Sequence, residues 1–318
     1  MASSIPFTDR IADGWRRSAD ALWLVFVPVV TALFSVDKIL RITLINRFHV
    51  GFKFLNLPSP IESVWSFVNV PQSGVHIDSG PAIPILAVLV LVTMFLLGGY
   101  LGSIRRLLDA DEDQFDFTHD AFAYLGPMAV WAAVPSLVTV SVAMLAGGFG
   151  TVEGNTLLPL VLVIIAGALV FGYLFYAAPF LVVLRETGLV DALRGSYHLA
   201  VSGGPYASYA LGYVFFSFVV SGALSLIVVN LGIVGLLVGI PLGGRLGLAT
   251  TTATMRFVAD VDDQSPTLCE WDDGGDDPFQ QNAGEQASNA YGKASNAYGK
   301  ASNADDRLGD EFDRDGTR

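Results

Sequence analysis

Arg245 is the one charged residue set deep inside an apolar run of this 318-residue chain. An ionised side chain in membrane hydrocarbon costs roughly 2.5 kcal/mol even on the lenient insertion scale, so such a residue is read as functional by default. Two roles suit it. It contacts a lipid phosphate or a substrate anion, or it snorkels to the nearest headgroups, since its run ends at about Met255. The same run carries Gly235, Gly239, Gly243 and Gly247, a four-residue repeat that puts glycine on one helix face. Glycine at that spacing lets a neighbouring helix approach to backbone contact. Pro241 and Gly244 predict a kink or a local unwinding, and an unwound segment would offer carbonyls to an ion, as in some transporters.

The remaining chemistry-bearing residues point away from catalysis. The chain has no nucleophile elbow, zinc-binding HExxH, phosphate-binding glycine loop or paired catalytic carboxylates. His119 and His198 fall on one side of the expected membrane, His49 and His76 on the other, so the four histidines do not form one metal site. Asp109, Asp111, Glu112, Asp113 and Asp116 make an acidic loop without the glycine and terminal glutamate of an EF-hand. The single cysteine, Cys269, excludes an internal disulfide and a cysteine-based metal cluster. A non-enzyme without metal, cofactor or nucleic-acid partner is the expectation.

What must position these residues is a set of six apolar runs. They are Ala21–Val36, Pro81–Leu101, about Ala121–Gly147, Leu157–Leu184, about Tyr206–Val229 and Leu231 to about Met255. A run of roughly 20 apolar residues is long enough to cross the hydrocarbon core as a helix. The first follows Arg16 and Arg17, but it lacks a clear small-x-small cleavage site and five more runs follow, so a retained helix is expected rather than a signal peptide. That helix is short or continues past Asp37. Interior prolines such as Pro127, Pro135 and Pro179 are tolerated because neighbouring helices can satisfy the freed carbonyls.

The fold class expected is therefore all-α, a polytopic bundle of six transmembrane helices arranged as three hairpins. Each hairpin is entered by a short amphipathic elbow. Phe7-Thr8-Asp9-Arg10-Ile11 with Trp15 precedes the first, Phe117-Thr118-His119-Asp120 with Phe122 the second, and Leu189 to Arg194 with Tyr197 the third. Apolar residues every three or four positions among charges suit helices lying in the membrane interface. Whether the hairpins are true duplications stays open, because the copies share little sequence. Placing Arg10, Arg16, Arg17, Arg105, Arg106, Arg185, Arg194 and Arg256 on one side follows the positive-inside rule and puts both termini in the cytoplasm of a cell-membrane protein.

The third elbow carries a resemblance. Ala178-Pro179-Phe180-Leu181-Val182-Val183, then Arg185-Glu186, then Gly188 to Tyr197 resembles the membrane domain associated with glycerophosphoryl diester phosphodiesterases and related multi-span prokaryotic proteins. The resemblance covers about the second half of the chain. It implies a helical membrane module whose elbow includes Arg185, Glu186, Asp191 and Arg194, and it carries no phosphodiesterase activity, which in that family resides in a separate soluble domain.

On the opposite face, Ser59-Pro60-Ile61-Glu62 is a well-formed helix start, with Ser59 capping and Glu62 reaching back. Trp65, Phe67 and Val68 would rest that short helix on the outer interface. The last part of the chain differs in kind. Residues 1–259 hold 15 acidic and 13 basic residues, whereas residues 260–318 hold 15 acidic and 5 basic, so −10 of the net charge of −12 belongs to the tail. Residues 260–318 have a disordered composition and repeat Ala-Ser-Asn-Ala-Tyr-Gly-Lys from Ala287 and from Ala294. With 14 Arg, 4 Lys and one Cys, the chain also resembles proteins of extreme halophiles. Two functions fit: a non-catalytic module that organises lipid, a membrane-protein partner or a second copy of itself, and a small transporter or permease with a site near the sixth run.

Overall fold

The computed structural model describes residues 5–44, 48–71, 83–109, 115–148 and 154–268, with the side chains at 83–87, 134–148 and 154–161 left out. The chain divides into two units, Met1–Cys269 and Glu270–Arg318. Every described residue lies in the first unit. The heptad repeats, Cys269, His76, Asp111, Glu112 and Asp113 lie outside the described residues.

Among the described residues the protein is all-helical, with no strand. Four helices are long and apolar enough to cross a membrane, or five if one bent pair counts as a single crossing. α1 (Phe7–Arg17) is the first elbow. A 3-10 turn (Leu22–Val25) leads into α2 (Phe26–Leu33), and α3 (Val36–Leu44) departs at 73° from it. The first apolar run is thus not one straight helix. The chain turns at Ser35, whose carbonyl accepts the amides of Lys38 and Ile39, and Asp37, Lys38 and Arg41 then make α3 amphipathic.

α4 (Val64–Phe67) is a single turn in the connection to α5 (Ile83–Leu108). α5 packs along α6 (Phe117–Gly148), where Gly98 admits Ala121, Gly99 admits Phe117 and Gly102 admits Asp120. The second elbow is not a separate helix. It forms the opening turns of α6, with the Asp116 carboxylate accepting from the amide of His119 (3.0 Å) and the hydroxyl of Thr118 (3.0 Å), a side-chain cap that lets the helix start ahead of the apolar run.

α7 (Gly154–Phe175) breaks at Tyr176–Ala177 and resumes as α8 (Ala178–Leu184), every residue of which is buried. α9 (Leu189–Ser202) is the third elbow and packs against α7, with Ser196 donating to the Leu174 carbonyl (2.8 Å). Gly203 and Gly204 both take positive φ and turn the chain into α10 (Pro205–Asn230). α11 (Gly232–Val261) follows at once and packs back along α10. Contrary to the expected unwinding, α11 stays helical through Pro241.

One apolar core joins the N-terminal turn, α5, α8, α10 and α11, and a smaller one surrounds Trp65, Phe67 and Val228. The boundary expected at residue 260 also shifts. Asp260 and Asp262 pair with Arg10 and Arg185, and Leu268 is buried in the core, so the acidic segment begins inside the packed body.

Candidate functional site

Residues 48–71, between α3 and α5, do not rest on the outer surface of the bundle. They run down α10 and back up. At the α10–α11 turn, the His49 amide donates to the Asn230 side-chain oxygen (2.8 Å) and Asn230 Nδ2 donates to the His49 carbonyl (2.6 Å). Further in, the Lys53 amide donates to Ser221 Oγ (2.7 Å), and Asn56 Nδ2 donates to Ser217 Oγ (3.0 Å). On the return, the Asn69 amide donates to Ser225 Oγ (2.8 Å).

α10 supports this path with a polar stripe. Tyr209, Tyr213, Ser217, Ser221 and Ser225 recur every fourth residue, so they share one face of an otherwise apolar helix. Backbone polar groups in an apolar interior must find partners, and the serines supply them. The sequence reading missed this stripe, although a four-residue hydroxyl period in an apolar run is visible without coordinates.

Glu62 sits at the deepest part of the inserted segment. Its side chain accepts the Ser59 amide (2.7 Å), so the expected reach-back forms. The helix itself starts later, at Ser63, whose hydroxyl accepts the Trp65 amide while Ser66 Oγ accepts the Ser63 amide. The Trp65 indole donates to the Ala32 carbonyl (2.7 Å) and ties the segment to α2. Glu62 is 1% exposed. Its backbone carbonyl lies against Gly247, at the centre of α11, about 22 Å along that helix at 1.5 Å per residue.

The glycine face of α11 has two jobs. Gly235 and Gly239 admit Val228 of α10, and Gly243 and Gly247 admit Val64 and Glu62 of the inserted segment. A Cβ at Gly243 would come within 2.6 Å of the Val64 Cα, and one at Gly247 would overlap the Glu62 carbonyl oxygen. Gly244 faces Val25 and Val29 instead.

Around Glu62 lies a group of buried oxygens. Tyr213 lies beside its carboxyl, Thr250 is next to Tyr213, and Tyr100 of α5 lies beside Thr251 close enough to sense the Glu62 charge. Glu62 Oε2, Tyr213 Oη, Tyr100 Oη and Thr251 Oγ1 are all buried and make no hydrogen bond of normal geometry. Native interiors leave few polar atoms in that condition, and each requires an explanation. Lys53 makes no ion pair with Glu62 within 4 Å. Burial of the carboxyl, only partly offset by Ser66, Tyr213, Ser59 and Lys53, pushes Glu62 up to about 7.

The other end of the bundle is a layer of ion pairs. Arg10 meets Asp260 (2.6 Å), Asp13 meets both Arg256 and Arg17, and Arg106 makes two bonds to Asp120 (2.8 and 2.9 Å). Arg185 grips Asp262 with two nitrogens, one at 2.8 Å, and Gly195 leaves room for that guanidinium to cross α9. Burial opposes ionisation of Asp262, but Arg185, Ser265 and the Gln264 amide together outweigh it and hold the carboxyl below the usual range. Glu186 pairs with Arg105 (2.6 Å) from a left-handed backbone position, φ 49°, at the end of α8. There the Thr187 amide donates back to the Val182 carbonyl, which closes the helix in a Schellman turn. Asp191 and Arg194 form an exposed pair along α9.

Arg245 reaches this layer from within α11. Its guanidinium donates to Ser18 Oγ and to the Trp15 carbonyl (2.6 Å), and stacks 4.5 Å from the Trp15 ring centroid. It is therefore held by the first elbow, whereas Glu62 belongs to a different group of contacts. A cavity of about 330 Å³ opens at the same end, between α5, α6 and the α8–α9 turn. Its lining includes Arg105, Arg106, His119, Asp120, Tyr124 and Glu186.

Comparison with protein-family models, with curated proteins and with solved structures finds no match.

Proposed function

We propose that this chain is a non-catalytic integral membrane module that crosses the bilayer six times and holds lipid or a partner membrane protein at its arginine-rich end. The observation that carries the reading is the cavity lined by Arg105, Arg106, His119 and Glu186 at the ends of α5 and α6. Its paired guanidinium and carboxylate groups offer bonds to both a phosphate and an amine, the two charges of a phospholipid headgroup. The arginines of that end support a cytoplasmic position for it under the positive-inside rule. Exposed apolar residues on α7 and α10, such as Val163, Val170, Leu211 and Phe215, supply the lipid-facing surface.

The test is mass spectrometry of the full chain released from gentle detergent. Phospholipid or a partner protein that co-purifies with the native chain, and is lost from Arg106→Ala while the fold survives, supports the module. A bare protein that retains neither overturns it. The second reading, a small permease, is favoured by one observation, a buried carboxyl packed against the middle of α11. Solute flux in reconstituted liposomes that Arg245→Leu or Glu62→Gln abolishes would decide for it.

A further inference from the structure

The orphaned oxygens at the deepest point of the inserted segment carry an inference that stands whether the chain is a module or a permease. The group consists of one carboxylate oxygen, Glu62 Oε2, and the hydroxyls of Tyr213, Tyr100 and Thr251, each fully buried and without a hydrogen bond of normal geometry. Thr250 stands beside Tyr213, and its own hydroxyl already donates to the Leu246 and Gly247 carbonyls (both 3.0 Å). A hydroxyl that spends its proton on the backbone keeps its lone pairs for a ligand.

All of these atoms are oxygens, and one carboxylate among them balances one positive charge. Hard monovalent cations take carboxylate, hydroxyl and carbonyl oxygens in this way, and a buried carboxylate that found no counter-charge would neutralise itself by taking a proton. We propose that Glu62, with Tyr213, Tyr100, Thr250 and Thr251, forms a buried site for a single monovalent cation, for which sodium and a proton compete.

The surroundings narrow the alternatives. The charged group of the segment nearest in effect is Lys53, which makes no ion pair with Glu62, and Lys38 stands behind it. From α10 the titratable groups facing the site are Tyr209 and Tyr213, and from α5 it is Tyr100. α11 contributes hydroxyls. No second carboxylate belongs to the group, so a divalent ion would leave an uncompensated charge in the interior.

The experiment is thermal unfolding of the detergent-solubilised full chain in sodium chloride against choline chloride at equal ionic strength. At about pH 8 the site is expected to be ionised, and sodium should raise Tm by about 4 °C or more. At about pH 5 the proton occupies Glu62, and the two salts should give the same Tm. Glu62→Gln should abolish the sodium effect, and Thr251→Val should raise the sodium concentration for half-effect about tenfold by removing one ligand. Thr251→Val decides the matter if Glu62→Gln does not fold. Identical Tm in sodium and choline at both pH values overturns the proposal, as water or Lys53 would then fill the site. A pH effect without any sodium effect overturns it as well, because the site would then serve the proton alone.

Discussion

Asp13 and Arg256 form an ion pair with almost no access to solvent, their side chains 6% and 1% exposed, across 243 positions of chain. The pair joins the first elbow to the last long helix. Gly14 makes the approach available, since a Cβ there would overlap the Ala249 carbonyl. Asp13 also accepts Arg17 at 3.1 and 3.2 Å, so one carboxylate organises two guanidinium groups.

Breaking that pair from one side should be costly. Asp13→Asn leaves Arg256 charged and buried, and a loss of about 3–5 kcal/mol is expected. The double replacement Asp13→Leu with Arg256→Met should cost clearly less than Asp13→Asn alone. A denaturant-based double-mutant cycle in detergent measures both, and additive losses would show that the two residues do not act as a pair.

The acidic segment should divide functionally within a few residues. A chain ending at residue 259 loses Asp260 and Asp262, which pair with Arg10 and Arg185, whereas one ending at residue 268 keeps both carboxylates. Lower Tm is expected for the first truncation and a native-like Tm for the second. Equal Tm for the two would mean that Asp260 and Asp262 contribute nothing to the body.

Gly247 should tolerate no side chain. Gly247→Ala places a methyl on the Glu62 carbonyl, which is backbone and cannot swing aside. Overpacking of this kind costs about 1–3 kcal/mol or more. Gly188→Ala is the control, because a Cβ at Gly188 meets no atom within 4 Å. Cleavage of the 48–71 segment by added protease should rise for Gly247→Ala alone.

Stability in sodium-free buffer should fall as pH rises. The Glu62 carboxyl titrates at an ordinary 4.5 in the unfolded chain and at about 7 in the native one. Between those values the unfolded chain is ionised while the native protein still holds its proton. Native stability is therefore greatest on the acid side, declines from about pH 4.5 and levels above about pH 7. Tm measured across that window should slope downward for the native chain, and the part of the slope due to this group should vanish in Glu62→Gln.

The sequence was legible where periodicity and length decide the outcome. The apolar runs expected from Pro81, about Ala121, about Tyr206 and Leu231 do become long helices, starting at Ile83, Phe117, Pro205 and Gly232, and the elbows at Phe7 and Leu189 do become amphipathic ones. The glycine period of α11 is visible in the chain, yet nothing local says that half of it faces a loop rather than a helix. Glu62 was the harder residue. Ser59, Pro60 and Glu62 carry a helix-start pattern, and the reach-back bond does form, but local capping chemistry is silent about where the segment docks. Its depth is set by partners more than 150 positions away, namely Ser217, Ser221 and Ser225. Arg245 is the converse case. The sequence offered an anion contact or a snorkelling guanidinium, and in the fold a long side chain and an arriving elbow supply Ser18 and Trp15.

The inserted segment also dictates an order of assembly. Residues 48–71 leave the ribosome well before residues 205–261, which hold nearly all of their hydrogen-bond partners in the bundle. Polar backbone cannot wait in hydrocarbon without partners. The segment can therefore take up those bonds only once α10 has been made. Docking of residues 48–71 is thus a late event, timed by the arrival of α10.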